Sequence, residues 1–149
     1  MKRRWSDAWI LLAVIYASRE KPARLVDVIA AADFIQHAIV TYREMQGALG
    51  RLTAGGYITE DNGMLGQTAK TTRFYQTLRE QRSNVRKDEQ AVAEFIESTA
   101  WLPGDDPHAM EIVAADYHGL SEADFNAAVD AYLSRFPRLT GVKRKDKNH

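Results

Sequence analysis

The order of apolar and polar positions along the chain describes a series of helices interrupted once by extended structure. Residues 6–18 are apolar nearly all round, which predicts a central helix, with Ser6 and Asp7 supplying an N-cap and a first-turn acid. Residues 25–35 place Leu25, Val28, Ile29 and Ala32 on one stripe and form a second helix. After a mixed connector over 36–40, a third helix opens at Thr41. Its core stripe is Met45, Ala48, Leu49 and Leu52, and Gly55-Gly56 stop it. The short runs Tyr57-Ile58-Thr59 and Met64-Leu65 flank Asp61-Asn62-Gly63. Asn-Gly between extended runs is a strong hairpin signal, because both central residues of a type I′ turn need positive φ.

The second half continues as helices. The spacing predicts one over 68–82, with Phe74 and Leu78 inward, and a break at Ser83-Asn84. A further helix over 88–102 carries Val92, Phe95, Ile96 and Thr99 in register and ends at Pro103-Gly104; another covers 108–118. The last opens on Ser121-Glu122-Ala123-Asp124, the residues of a capped helix start. It carries Phe125, Val129, Tyr132, Leu133 and Phe136 before Pro137 closes it.

Three helices followed by one hairpin, with Leu49, Leu52, Gly56, Tyr57 and Ile58 at the junction, resemble the winged helix-turn-helix superfamily over residues 5–75. The connector between the second and third helices departs from that pattern, being longer than the ~3–4-residue turn of an ordinary helix-turn-helix. A small helical bundle with an incidental hairpin is the alternative reading of the same segments. The expected fold is therefore mainly α: a winged-helix module over 5–78, an acidic helical extension over 79–137 and a basic tail over 138–149.

The resemblance implies that the third helix presents its outer face to the major groove of double-stranded DNA and that the hairpin reaches a neighbouring groove or phosphate. Opposite the apolar stripe of that helix lie Arg43, Gln46, Gly47, Gly50 and Ala54, with Arg51 to one side. Arginine pairs bidentately with guanine and glutamine with adenine. The candidate DNA contacts are thus Thr41, Arg43, Gln46 and Arg51 on the helix, with Asn62, Lys70 and Arg73 on the hairpin and beyond it. Two glycines on an exposed helix face cost about 1 kcal/mol each relative to alanine. They ask for close approach, either to DNA or to another helix. The rival expectation is accordingly a protein–protein interaction module built on the winged-helix fold and the acidic extension. Arg43, Gln46 and Arg51 open to solvent would favour DNA; C-terminal helices lying over them would not.

Composition narrows the chemistry. The chain holds twenty Lys/Arg and twenty Asp/Glu and no cysteine, which excludes disulfide, zinc-ribbon and thiol-nucleophile chemistry. Charge is sorted, however: residues 88–134 contain eleven acids and no Lys or Arg, and the last seven residues turn basic. No phosphate loop, nucleophile elbow or zinc-protease helix is present, so no enzyme, catalytic residue or cofactor is expected. His108 and Glu111 lie three apart in the acidic group of Asp105, Asp106, Asp116 and His118. Loop acids and capping acids account for that group, and no metal site is expected. Met1-Lys-Arg-Arg before the apolar run 8–17 imitates a secretory signal. Asp7 interrupts it, though, and ten apolar residues fall short of the ~20 needed to span a bilayer. A cytoplasmic protein without a membrane partner is expected. The two regular stripes beyond residue 88 lead to the further expectation of a homodimer through the C-terminal helices.

Overall fold

The computed structural model describes residues 5–99, 117 and 119–135. Among them the protein is mainly helical, with three N-terminal helices, a two-stranded antiparallel hairpin and three further helices. These are α1 (Trp5–Ala17), α2 (Leu25–Gln36), α3 (Tyr42–Ala54), β1 (Ile58–Asp61), β2 (Met64–Gln67), α4 (Ala69–Arg79), α5 (Val85–Ser98) and α6 (Glu122–Arg135).

α1 is the axis of the core. Every residue from Asp7 to Ile15 is buried, so the helix needs protein on all sides. It finds that cover in α2, α3, α5 and β2. The indole of Trp9 donates to the Ala32 carbonyl at 2.9 Å, so the polar edge of this buried ring is satisfied from α2.

The predicted start of α3 rests on a side-chain cap and its stop on backbone bonds. The Thr41 hydroxyl accepts from the Glu44 amide at 3.2 Å, and the Glu44 carboxylate accepts from the Thr41 amide at 3.0 Å, a reciprocal capping box at the start of α3. At the other end the Tyr57 amide donates to the Leu52 carbonyl at 2.9 Å and the Gly56 amide to Thr53 at 3.1 Å, closing the helix in a Schellman motif. α5 begins three residues before its predicted start. The Asn84 side chain accepts from the Lys87 amide at 2.9 Å, so the residue read as part of a break is the N-cap itself.

In the hairpin Ile58 faces Gln67 and Asp61 faces Met64, leaving Asn62 (φ 53°) and Gly63 (φ 80°) as the two turn residues. The hairpin is anchored to the helices by a two-bond bridge. Ala23, in the loop between α1 and α2, exchanges amide–carbonyl bonds of 2.7 and 2.8 Å with Leu65.

The two apolar stripes of the second half pack within the chain, partly buried. Val92, Ala93 and Ile96 of α5 join the core around α1. Phe95 stacks on Phe74 of α4 (centroids 4.2 Å apart, 3° between planes) and meets Tyr57 edge-on. α6 lies along α2, where the Tyr132 hydroxyl donates to the Asp33 carboxylate at 2.6 Å, and Phe125 packs on Tyr42 at the start of α3. Val92, Ile96, Phe125 and Tyr132 of the stripes that motivated a homodimer are thus engaged within the chain, while Phe95, Val129 and Leu133 are half-buried. Phe136, the helix expected over 108–118 apart from Tyr117, the acidic group from Asp105 to His118 and the basic tail lie outside the described residues.

Candidate functional site

The candidate contacts do not share one open surface. Arg51 is 7% exposed and points inward. Its guanidinium meets the carboxylate of Asp7, itself fully buried, through bonds of 2.8, 2.9 and 3.1 Å. The expectation that Arg51 reaches outward is therefore corrected. An ionised aspartate inside an otherwise apolar helix must be paired, and Arg51 supplies the two-pronged partner. Gly47 follows from the same pair. A Cβ at that position would lie 3.2 and 3.3 Å from the two terminal nitrogens of Arg51, so the guanidinium passes over bare backbone on its way to Asp7. The close approach expected of this glycine is to its own helix's arginine. Gly50 is buried as well.

The rest of α3 divides in two. Gln46 is half-buried, and its side-chain amide donates to the Tyr117 carbonyl at 3.1 Å. The Tyr42 hydroxyl donates to the Leu120 carbonyl at 3.1 Å. The segment leading into α6 therefore lies over part of the face expected to read DNA. Thr41 has its hydroxyl engaged in the capping box, while Arg43 is exposed. On the hairpin side Asn62 and Arg73 are exposed. Lys70 is not a free cation: its ammonium donates to the Gly55 carbonyl at 2.8 Å and sits 4.0 Å from the centre of the Tyr57 ring. Desolvation in that position lowers its pKa. Lys70 thus neutralises the carbonyl end of α3, where the helix dipole favours a cation.

The segment over α3 carries a titratable marker. Burial, and then the negative charge of Glu60 on β1, push the Tyr117 phenol up to about 12. Because the folded value is raised, its contribution to stability is complete below the ordinary tyrosine value near 10 and fades as the pH climbs through about 12. A spectrophotometric titration should show a tyrosinate step near that pH which Tyr117→Phe removes. The same step should coincide with loosening of α6 by circular dichroism; a Tyr117 step near pH 10 would contradict this contact.

Exposed cations gather elsewhere. Residues 19–24 and 70–87 together hold nine Lys/Arg against two acids, Glu20 and Glu80. All nine except the capping Lys70 are exposed. Arg24 is paired with Asp27 at 3.1 Å. α6 is acidic, with Glu122, Asp124 and Asp130 exposed. The sorting of charge along the chain was legible in the sequence; the Asp7–Arg51 pair was not. The signal for the pair was Asp7 itself, an acid inside a helix with no polar face.

Among the described residues, no three His, Asp or Glu side chains gather as metal ligands, and no helix is long and apolar enough to cross a membrane. Compared with known proteins, the chain matches no protein-family model, and no curated protein or solved structure resembles it significantly.

Proposed function

We propose that this chain is a winged-helix DNA-binding protein that grips duplex DNA by its phosphates, through the side formed by the loop after α1, the hairpin and α4. In this reading α3 is a packing element and not the reader. The supporting observation is the nine-to-two excess of cations in residues 19–24 and 70–87; the hairpin between them adds Glu60 and Asp61 and no cation. Phosphate contacts by Lys and Arg supply affinity independent of sequence, and each steepens the fall of log affinity with log salt by about 0.9. The order of three helices and an antiparallel hairpin, tied to the helices at Ala23, supports the winged-helix layout.

Anisotropy titrations of a labelled duplex across salt concentrations test this. Replacing Arg73 and Arg82 together by alanine should weaken binding and flatten the slope by about 2, two contacts' worth. Unchanged affinity and slope would end the proposal for this face.

A second reading, a protein-assembly module on the same fold, is favoured by a different observation: α3 already accepts contacts from Tyr117, Leu120 and Phe125. Phe34 on α2 is also 61% exposed. Absence of DNA binding even at low salt, with self-association in light scattering, would select this reading.

A further inference from the structure

We propose that the cleft between the loop after α1, the hairpin and α4 binds a small phosphate monoester, a phosphorylated metabolite rather than a polymer. The cleft encloses about 320 Å³, within the ~300–1,000 Å³ range of small-molecule sites. Arg19, Lys21 and Arg79 line it, with Glu20 the one carboxylate among the lining residues. None of the three cations forms an ion pair with a described carboxylate. A phosphate dianion is the group that this excess of charge would draw, and guanidinium forks match its oxygens two at a time.

The two arginines, both exposed, lie beside tyrosine rings. The Arg19 guanidinium lies 4.9 Å from the centre of the Tyr16 ring and 6.0 Å from that of Tyr75. Arg79 approaches the same Tyr75 ring at 5.9 Å. Two cations therefore flank one aromatic ring, each within reach of its negative face. Pre-positioned donors lose less side-chain freedom when a ligand arrives.

The wall beneath them is polar. The Gln67 side-chain amide lies 3.3–3.4 Å from the carbonyls of Ile15 and Ser18 and from the Ser18 hydroxyl, which fixes β2 against the end of α1. Thr72 donates to the carbonyl oxygen of the same side chain at 3.4 Å. At Gly66 a Cβ would stand 3.0 Å from the Thr59 hydroxyl and 3.9 Å from the Pro22 ring, both lining residues. A larger side chain there would enter the cleft. Gln76, exposed on α4, adds a further amide at the wall.

The cleft is a concave part of the side proposed to meet DNA, but the inference does not depend on DNA binding. A duplex presents singly charged phosphates on a convex ridge, whereas an open cleft lined by three cations suits a compact dianion.

The probes are adenosine monophosphate and glucose 6-phosphate, with adenosine and glucose as neutral controls, followed by calorimetry and by chemical-shift changes on the full chain. At least one ester should bind saturably, shift the side-chain resonances of Arg19, Arg79 and Gln76, and leave its neutral counterpart inert. Arg79→Gln and Arg19→Gln should each weaken it by about tenfold or more, the scale of one charge-assisted contact. Gly66→Val should block it with the fold retained, as read by circular dichroism. Arg73→Ala, outside the cleft, should leave it unchanged. No saturable binding up to about 10 mM, or binding undiminished in both arginine variants, would overturn the site. So would cleft shifts produced by duplex DNA alone and by neither ester, because the phosphate would then be the polymer's. DNA affinity itself is measured without ester and through Arg73 and Arg82, so either proposal can fail alone.

Discussion

Arg51→Ala should destabilise the protein by about 3–5 kcal/mol, the cost of leaving one member of a buried ion pair without its partner. Asp7 is fully buried and Arg51 nearly so, and three hydrogen bonds join them across α1 and α3. Water cannot replace the guanidinium at such a site, so the carboxylate would have to be protonated, hydrated by local opening, or stranded. Denaturant unfolding of the variant measures the loss. The double variant Asp7→Leu, Arg51→Met should regain most of it, since an apolar pair of similar bulk avoids the desolvation of both charges. A single-variant loss below about 1 kcal/mol, the ceiling for a typical surface pair, would mean that the pair is solvated. The same variant separates the two roles considered for Arg51. As a structural residue it should leave the salt slope of any DNA binding unchanged in the fraction that remains folded. As a phosphate contact it would flatten that slope.

Phe125→Asp should cost a comparable amount, about 3–5 kcal/mol, by analogy with removal of a buried phenylalanine, with the stranded charge adding to the loss. Phe125 is 4% exposed and its ring centre lies 5.8 Å from that of Tyr42. The expected result is local: α6 loses its hydrogen-exchange protection while α1 keeps its own, because α6 is docked on α2 and α3 and not on the axis. Molecular mass by light scattering should be the same for variant and wild type, since the stripe serves its own chain. A dimeric wild type that becomes monomeric on this substitution would instead make the stripe an interface between copies.

Much of the local structure could be read from the sequence because its causes are local. Thr41 with Glu44, Asn62 with Gly63, and Ser121 before α6 each fix a start or a turn within four residues, and the structure uses all three. Apolar stripes likewise identified the buried faces of α2, α3 and α5. What could not be read is what covers each face. Helical spacing puts Gln46, Gly47 and Arg51 away from the apolar stripe, but it says nothing of Tyr117, 71 residues further on, or of Asp7, 44 residues back. Lys70 was likewise read as a cation near DNA, while its position beside the last carbonyls of α3 depends on how α4 folds back across the Gly55-Gly56 stop. In both cases polarity was visible in the chain and its destination was a tertiary fact.

The central claim is that DNA meets the hairpin and α4 side while α3 stays closed against the chain's own C-terminal segment. Backbone chemical-shift perturbation on titrating the full chain with a short duplex tests it most directly, because each element reports separately. The account predicts shifts concentrated in residues 19–24, in β2 and in α4, with Arg43, Gln46 and the rest of α3 essentially unmoved. Shifts centred on α3, with Tyr117 and Leu120 released from it, would contradict the account and restore α3 as the reader.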